Sequence, residues 1–268
     1  MRIIGISGKK RSGKNTCANY VSGMILRSQG VVKDFCLDPN GQLLVQEHEQ
    51  DDWAVLNLDR KDEEFVLFAD NLLWPYAKCY SFAEPLKMLG IEYFGLSYGA
   101  VFGNEEQRAA PTHLQWENMP GVIVTNHDES EYDELYGSLD AWGQAENIVW
   151  KDKSGPMSGR EFLQFFGTEI GRKMYPQIWV NKTINNILRE QSNIAIITDV
   201  RFPDEVRAIQ EAGGTVLRLT RCPDGDSHES ENALNPDVFD WDGFDFIVDN
   251  ENKTISETCA EVWRIINC

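Results

Sequence analysis

Residues 2–16 read "RIIGISGKKRSGKNT", and this stretch decides the fold of the chain. It opens with a short apolar run, which is typical of a buried parallel strand. From Gly8 through Gly13 to Lys14 the sequence then fits the phosphate-loop pattern G-x-x-x-x-G-K. Apolar residues at helical spacing follow as far as Leu26, so the order is strand, loop and helix. That order directs the loop N–H groups and the helix N-terminus toward one phosphate-binding point.

The residues of this loop favour a nucleotide site over a chance glycine-rich turn. Gly8 and Gly13 allow backbone angles that a side chain would forbid, and Lys14 can reach the β- and γ-phosphates. The next position, where the pattern has Ser or Thr to hold Mg²⁺, is Asn15. We expect the Asn15 amide oxygen to contact Mg²⁺ or its water, and the Thr16 hydroxyl to lie near the phosphates.

Composition excludes several classes of protein. The 268 residues are 42% apolar, which suits an ordinary globular chain, and 43 acidic against 25 basic residues give a net charge of −18. Nucleic acid is therefore not an expected partner. The six cysteines contain no C-x-x-C pair, so neither a zinc site nor a disulfide framework is indicated. No hydrophobic signal or membrane segment is apparent, and we expect a cytoplasmic protein without membrane attachment.

The rest of the chain predicts an α/β fold with two additions. Strands and helices alternate in residues 1–30, 76–96 and 176–268, which predicts a three-layer core with a parallel sheet flanked by helices. Residues 31–75 contain the turn signal "LDPNGQLLV" and acidic runs, and predict an inserted β-hairpin with a solvated surface. Residues 97–175 begin with a long irregular stretch and predict a separate lobe.

Asp199 closes the apolar run "NIAIITD". A carboxylate at the C-terminal end of a buried strand lies where open α/β sheets bind ligands, and a phosphate-loop enzyme needs one to hold Mg²⁺ or its water shell. A cap for the following helix is a second interpretation, compatible with the first. Arg201, two residues on, is either a phosphate ligand or a surface ion-pair partner.

A predicted helix at 158–174 begins with a capping box, Ser158 and Glu161. Its apolar stripe, expected in the core, consists of Phe162, Phe166, Ile170 and Met174. Its polar stripe, on roughly the opposite face, consists of Arg160, Gln164, Thr168 and Arg172. This polar stripe suits binding of a phosphate and a base edge, but a solvated face is equally compatible with the spacing. Gly167 inside the helix predicts close packing at that point.

Six motifs together resemble the bacteriophage deoxynucleoside monophosphate kinases, relatives of the nucleoside monophosphate kinases among phosphate-loop proteins. They are "GKKRSGKNT", "SFAEPLK", "LQFFGTEIGR", "WVN", "TDVRFPDE" and "HESE". The resemblance covers about residues 1–28, 78–95 and 158–268, only loosely 97–157, and not 31–75. It implies Mg²⁺-dependent transfer of the ATP γ-phosphoryl group to a deoxynucleoside 5′-monophosphate, giving the diphosphate.

The resemblance also assigns roles to residues. The ATP phosphates would be bound by Gly8, Arg11, Ser12, Gly13, Lys14, Asn15 and Thr16, and Mg²⁺ by Asn15 and Asp199. The monophosphate, in the 97–175 lobe, would be bound by Lys87, Arg160, Gln164, Thr168, Arg172 and Arg201. Arg221 would lie at the base of a lid, residues 221–236. The cations expected to act in catalysis are Lys14, Arg160, Arg172, Arg201 and Arg221.

No side-chain base is expected, because the acceptor phosphate has a second pKa of about 6 and is largely dianionic at neutral pH. His228 has no Cys or His partner in its stretch "DGDSHESE", which favours a polar loop residue over a metal ligand or a general base. A homodimer is suggested by the resemblance alone. Two alternatives stay open: a kinase of the same fold for another phosphorylated acceptor, and a non-catalytic nucleotide-binding regulatory protein. Asn15 favours the second of these, and the polar arginine stripe opposes it. The preferred base is not predicted.

Overall fold

The computed structural model describes residues 1–48, 52–124, 149–151, 153–222 and 232–267. The chain forms two compact units. The first, Met1–Glu84 with Trp179–Cys268, contains the phosphate loop, and the second, Pro85–Ile178, contains the predicted polar stripe. The functional division into core, insertion and monophosphate lobe stays a prediction. Within the described ranges, the helices are too short or too polar to cross a membrane.

The described secondary structure alternates along the chain. The strands are β1 (Arg2–Ser7), β2 (Asp34–Leu37), β3 (Leu43–Gln46), β4 (Ala54–Val55), β5 (Ala77–Tyr80), β6 (Pro111–Gln115), β7 (Val122–Val124), β8 (Val149–Lys151), β9 (Pro156–Ser158), β10 (Ile194–Val200), β11 (Thr215–Leu219) and β12 (Phe246–Val248). The α-helices are α1 (Lys14–Ser28), α2 (Glu63–Leu72), α3 (Glu84–Glu92), α4 (Tyr98–Phe102), α5 (Glu105–Ala109), α6 (Gly159–Gln164), α7 (Ile178–Glu190), α8 (Pro203–Glu211) and α9 (Ile255–Ile266).

The first unit is built on a parallel sheet with the strand order β12, β11, β1, β10, β5. Successive residues of β1 point to opposite faces, and both faces are buried. Ile4 and Ile6 pack with α1 and α9, whereas Ile3 packs with α7 and α8. Trp179 of α7 is buried. The predicted three-layer α/β fold is confirmed, and the apolar character of the strands follows from burial on both sides.

The strand order places a ligand crevice beside the phosphate loop. Within this sheet, the strand after β1 in the chain is β5, which lies toward one edge. The strand after β10 is β11, which lies toward the opposite edge. Such a reversal opens a crevice at the C-terminal ends of the two neighbouring strands. The loop follows β1 directly, and Asp199 is the next-to-last residue of β10, so both lie at this crevice.

The insertion packs along α1. Its strands β2 and β3 pair antiparallel around the turn that the "PNG" signal marks, and β4 adds to β3. Leu43 of β3 and Phe35 of β2 share a buried cluster with Leu26 of α1. The ring of Phe35 fills the space where Gly23 lacks a side chain, with its Cε2 atom 2.7 Å from the position of an added Cβ. The insertion is therefore part of the first unit's core.

Helix α2 was not predicted from the sequence. Its Asp62 carboxylate accepts a hydrogen bond from the Phe65 N–H, which caps the N-terminus. Phe65 and Ala69 are spaced by four and are both buried against the insertion's strands. The acidic run before the helix, taken from the sequence as a solvated surface, supplies the cap and the first-turn acids that suit a helix N-terminus.

In the second unit, the predicted helix at 158–174 changes its winding part-way. Ser158 and Glu161 form the predicted capping box at the start of α6. Residues Phe165–Arg172 then continue as a π-helix, whose hydrogen bonds join residues five apart. Spacing by four consequently fails to predict the buried face, and the expectation that Met174 lies in the core is wrong: its side chain is 72% exposed.

Gly167 shows what the wider winding accommodates. Gly167 is buried and follows the buried Phe162 by five residues, which matches the spacing of π-helical hydrogen bonds. The Cδ2 atom of Leu86 lies 2.6 Å from where a Gly167 Cβ would be, so the predicted close packing at this glycine is confirmed. The remainder of this unit includes an antiparallel pair of β6 with β9 and a parallel pair of β7 with β8.

Gly159→Ala should destabilise the second unit. An added Cβ would collide with the Ala100 carbonyl oxygen and lie 2.8 Å from its carbonyl carbon. Backbone atoms cannot rotate away as a side chain can, so we expect a loss of about 1–3 kcal/mol in the free energy of unfolding, measured in urea. Gly99→Ala is the control, because its Cβ would meet only the Gln107 side chain, at 3.6 Å or more. Equal stability of the two variants would contradict this packing.

Candidate active site

The phosphate loop ends in a helix whose first turn is open to an anion. Gly13 occupies the N-cap position of α1 with φ 102, a left-handed conformation that favours glycine, and it has no side chain with which to cap the helix. The first turn carries no acidic residue. The first N–H groups therefore have no acceptor within the helix, and the positive end of the helix dipole has no carboxylate beside it in the first turn.

Lys14 folds back over its own loop. Its ammonium donates to the carbonyl oxygens of Gly8 at 2.8 Å and of Lys9 at 2.6 Å. These bonds hold the positive charge over the segment predicted to receive phosphates. Arg11 adopts a left-handed backbone with φ 60, and the side chains of Arg11 and Asn15 are exposed.

Ser12 has a buried polar atom for which the structure supplies no hydrogen-bond partner. The residue is fully buried, and its Oγ is unpaired among the described residues. Gly8 makes room for it, since a Cβ at Gly8 would collide with the Ser12 Oγ and lie 3.2 Å from its Cβ. Buried hydroxyls are normally paired, so an orphan within a phosphate loop fits a site completed by a ligand oxygen or a water.

Asp199 is presented by an irregularity of β10. Between positions paired with Gly5 and Ser7 of β1, strand β10 runs from Ile197 to Val200 and so contains one extra residue. Such a bulge re-aims a side chain. The Asp199 carboxylate accepts hydrogen bonds from the Ser81 hydroxyl at 2.5 Å, the Phe82 N–H at 2.8 Å and the Ala83 N–H at 3.1 Å. It thereby fixes the chain after β5.

Asp199 does not cap the following helix, so that interpretation is wrong. The N-cap position of α8 is Phe202, and Glu205 accepts hydrogen bonds from the N–H groups of Arg201 at 2.6 Å and Phe202 at 3.1 Å. A carboxylate offers about four acceptor positions, of which three are in use at Asp199. The remaining one suits a water bound to a metal ion.

Asn250, which the sequence analysis missed, joins the loop to Arg221. It is buried, its Nδ2 donates to the Ser12 carbonyl at 2.9 Å, and its Oδ1 accepts from the Arg221 N–H at 2.8 Å. The Arg221 guanidinium donates in turn to the carbonyl oxygens of Asn250 and Lys253. The signal was available: Asn250 follows the last strand at the same sheet edge as Asp199.

The pKa of the Cys17 thiol, next to the loop, is raised. A hydrogen bond with the Cys259 thiol and burial raise the pKa of the Cys17 thiol well above its usual range. Thiols in such surroundings stay protonated and unreactive.

In the second unit the predicted monophosphate ligands are half-buried or exposed side chains of α3, α6 and the π-helix. The Lys87 ammonium is 4.8 Å from the centroid of the Phe102 ring, and Arg160 lies 3.7 Å from the Glu105 carboxylate. Gln164 and Thr168 are exposed, and Arg172 is half-buried. The pair of Arg160 with the exposed Glu105 is worth little in water, so it competes weakly with a phosphate.

Some predicted features lie outside the described residues. These are most of the lid, including His228. Within the described ranges, no group of three His, Cys, Asp or Glu side chains could hold a metal ion.

Comparison with known proteins decides the family. The sequence model of the deoxynucleotide monophosphate kinase family matches residues 108–259, more than half of the chain. The chain belongs to the deoxynucleotide monophosphate kinase family. The resemblance found in the sequence is thus confirmed. The matched range includes Arg160, Asp199 and Asn250, whereas the phosphate loop precedes it.

Two relatives of this kinase-family chain carry matching names. It is 39% identical over 72 residues to the deoxynucleoside-5′-monophosphate kinase of Escherichia phage T5, covering 26% of each protein. It is 25% identical over 202 residues to a "Putative deoxynucleotide monophosphate kinase" of Acanthamoeba polyphaga mimivirus, covering 70% of this chain and 80% of that protein. The chain thus matches about a quarter of the length of the phage relative and most of the mimivirus relative.

Asp199→Asn should destabilise the first unit of this kinase-family chain. One of the two oxygens that accept from Ser81, Phe82 and Ala83 would become an N–H₂ facing a donor. Leaving buried donors unpaired costs about 1–3 kcal/mol, measurable by urea unfolding. Ser81→Ala, which removes a single hydroxyl, should cost less. A stability unchanged by Asp199→Asn would show that these hydrogen bonds do not hold the segment after β5.

Asn250→Ala should loosen both the loop and Arg221, because the Ser12 carbonyl and the Arg221 N–H each lose a buried partner. We expect a loss of about 1–3 kcal/mol in urea unfolding. Asn250→Asp keeps the acceptor for Arg221 but, like Asn250→Ala, lacks the donor for Ser12, so the difference between the two variants isolates the Arg221 contact. Identical losses would mean that the Arg221 side contributes nothing.

Proposed function

We propose that the protein transfers the γ-phosphoryl group of ATP to a deoxynucleoside 5′-monophosphate, giving ADP and the deoxynucleoside diphosphate. The observation that carries the proposal is the uncapped, acid-free N-terminus of α1, with the Lys14 ammonium folded over the loop. In a chain of this family, that geometry supports a site for the triphosphate of the donor.

On the donor side, the loop residues from Gly8 to Thr16 surround the phosphates. The unpaired Ser12 hydroxyl supports this assignment, because a bound phosphate brings acceptor oxygens into the loop. Lys14 exchanges its bonds to the two backbone carbonyls for the β- and γ-phosphate oxygens. Arg11 lies on the exposed side of the loop and suits contact with outer phosphate oxygens.

For the metal, Asn15 and Asp199 are the residues we assign. Mg²⁺ usually binds through one or two protein oxygens together with substrate phosphates and waters, so a set of three acidic ligands is not needed. The exposed Asn15 amide oxygen suits direct or water-mediated contact, and Asp199 with its single remaining acceptor position suits a metal-bound water. When bound, Mg²⁺ neutralises charge that develops on the transferred phosphoryl group.

On the acceptor side, the second unit provides Lys87, Arg160, Gln164, Thr168 and Arg172. Thr168 and Arg172 lie in the π-helix, a rare winding that is frequent at functional sites. The two arginines and the lysine suit the monophosphate, and the amide and hydroxyl suit the base edge. Arg201 belongs to the first unit, and its role as a phosphate ligand stays a prediction.

Arg221 is held in place rather than being a freely moving side chain. Two of its guanidinium N–H groups donate to the carbonyls of Asn250 and Lys253, and a guanidinium has five. The others suit a phosphate oxygen when the 221–236 segment acts as a lid. Lid closure excludes water and so suppresses hydrolysis of ATP.

The setting of the reaction is also inferred. A phage relative and the net charge of −18 favour action on small nucleotides in the cytoplasm of an infected bacterial host, without nucleic acid as a partner. A homodimer is retained as a proposal from the resemblance. A related kinase for another phosphorylated acceptor would share the loop and Asp199, and would differ in its acceptor ligands.

The deciding experiment couples ADP release to a panel of acceptors: dGMP, dTMP, dCMP, dAMP and the matching ribonucleotides, with ATP and Mg²⁺. We expect turnover with at least one deoxynucleotide. Lys14→Ala should lower kcat by about 10²-fold or more, because a preorganised charge on the transferring phosphates is lost. Lys182→Ala, an exposed lysine of α7, should leave kcat unchanged.

Turnover that survives in Lys14→Ala would contradict the site. If ATP binds but no deoxynucleotide raises ADP release, the acceptor assignment fails, and the panel is extended to other phosphorylated acceptors.

A further inference from the structure

The inserted segment 31–75 reaches the first turn of α1, next to the phosphate loop. Gly41, in the turn between β2 and β3, is buried against Thr16. An added Cβ at Gly41 would collide with the Thr16 Oγ1 and lie 2.7 Å from its Cγ2. The Gly41 carbonyl also accepts a hydrogen bond from the Asn19 side-chain amide at 2.9 Å. The turn therefore contacts α1 at Thr16, two residues after Lys14, and again at Asn19, about one helical turn later.

The turn is rigid on its own. The Asp38 carboxylate accepts from the N–H groups of Asn40 at 2.9 Å and Gln42 at 2.7 Å. The backbone adds bonds from the Gly41 N–H to the Asp38 carbonyl and from the Asp38 N–H to the Gln42 carbonyl. These four bonds within five residues fix the position of the Gly41 carbonyl.

The insertion also contacts the rest of the first unit at points distant from the phosphate loop. Phe35 fills the gap at Gly23, about two helical turns further along α1. Lys61 forms an ion pair with Glu84 at 2.8 Å, with both side chains less than 30% exposed. A segment held at several points along a helix transmits its position to the end of that helix.

We propose that residues 38–42, the brace turn, position the phosphate loop for ATP. A helix N-terminus without a side-chain cap leaves its first N–H groups with no acceptor inside the helix, and Gly13 gives α1 no such cap. An anion binds to those N–H groups, and a side-chain cap would compete with it for them. The brace turn stabilises the first turn from the side instead, through Thr16 and Asn19. This inference rests on the proposed function only in that the loop binds ATP.

Gly41→Ala and a matched control test the brace turn by ATP binding, measured by titration calorimetry. Gly41 has φ +79 and a collision with Thr16, whereas Gly213 has φ +77 and nothing within 4 Å of an added Cβ. Gly213→Ala therefore imposes the same backbone strain without the contact. We expect Gly41→Ala to raise the Kd for ATP about tenfold or more, because small displacements of a binding loop are costly, while Gly213→Ala stays near the wild type.

Asn19→Ala provides a second variant in case Gly41→Ala does not fold. It removes the amide that holds the Gly41 carbonyl without adding an atom, and we expect a several-fold weaker ATP affinity. The KM for the deoxynucleotide should not change in either folded variant, since a general loss of structure would change both constants.

The outcomes separate the two proposals. ATP affinity in both variants equal to that of Gly213→Ala would overturn the brace turn, whatever the turnover. A wild type that binds ATP but turns over no deoxynucleotide would overturn the proposed function while leaving the affinity comparison decisive for the turn. A wild type that binds no ATP would overturn both.

Discussion

The first turn of α1 carries backbone N–H groups that no residue of the helix pairs and that no Gly13 side chain covers. A phosphate site requires this arrangement, and it makes the end of the helix weak by the ordinary rules of helix capping. The surroundings compensate for the weakness: strand β1 enters from a sheet buried on both faces, Asn250 holds the Ser12 carbonyl, and the insertion packs along the helix.

The crevice at the C-terminal sheet edge is organised by two buried or half-buried polar side chains from distant parts of the chain. Asp199 gathers three donors from the segment after β5, and Asn250 links the loop to Arg221. Each sits just where a parallel strand ends, so the sheet itself sets their spacing. Side chains held by several hydrogen bonds have little freedom to move, which suits chemistry that depends on positioning rather than on proton transfer.

The sequence predicted the fold well because local signals agreed: the strand, loop and helix order around Lys14, and the alternation of strands and helices. It predicted Asp199 at the end of a strand, since burial and a terminal acid are visible locally. The hydrogen bonds of Asp199 with residues 81–83 join segments 116 to 118 residues apart, and no local sequence pattern encodes them. Met174 was misplaced because a period of four assumes an α-helix, whereas the π-helix winds more widely. Asn250 was missed because a lone amide after a short strand carries a weak signal.

Strand β10 lies between β1 and β5, although it follows both in the chain and the second unit intervenes. During synthesis, neither of its two pairings can form until residues near 200 have left the ribosome. Strands β1 and β5, both in the N-terminal third, therefore lack their β10 partner until the whole second unit has been synthesised. The insertion packs on α1 through contacts that are short-range in sequence and therefore form fast. This packing buries part of the N-terminal third before β10 is available.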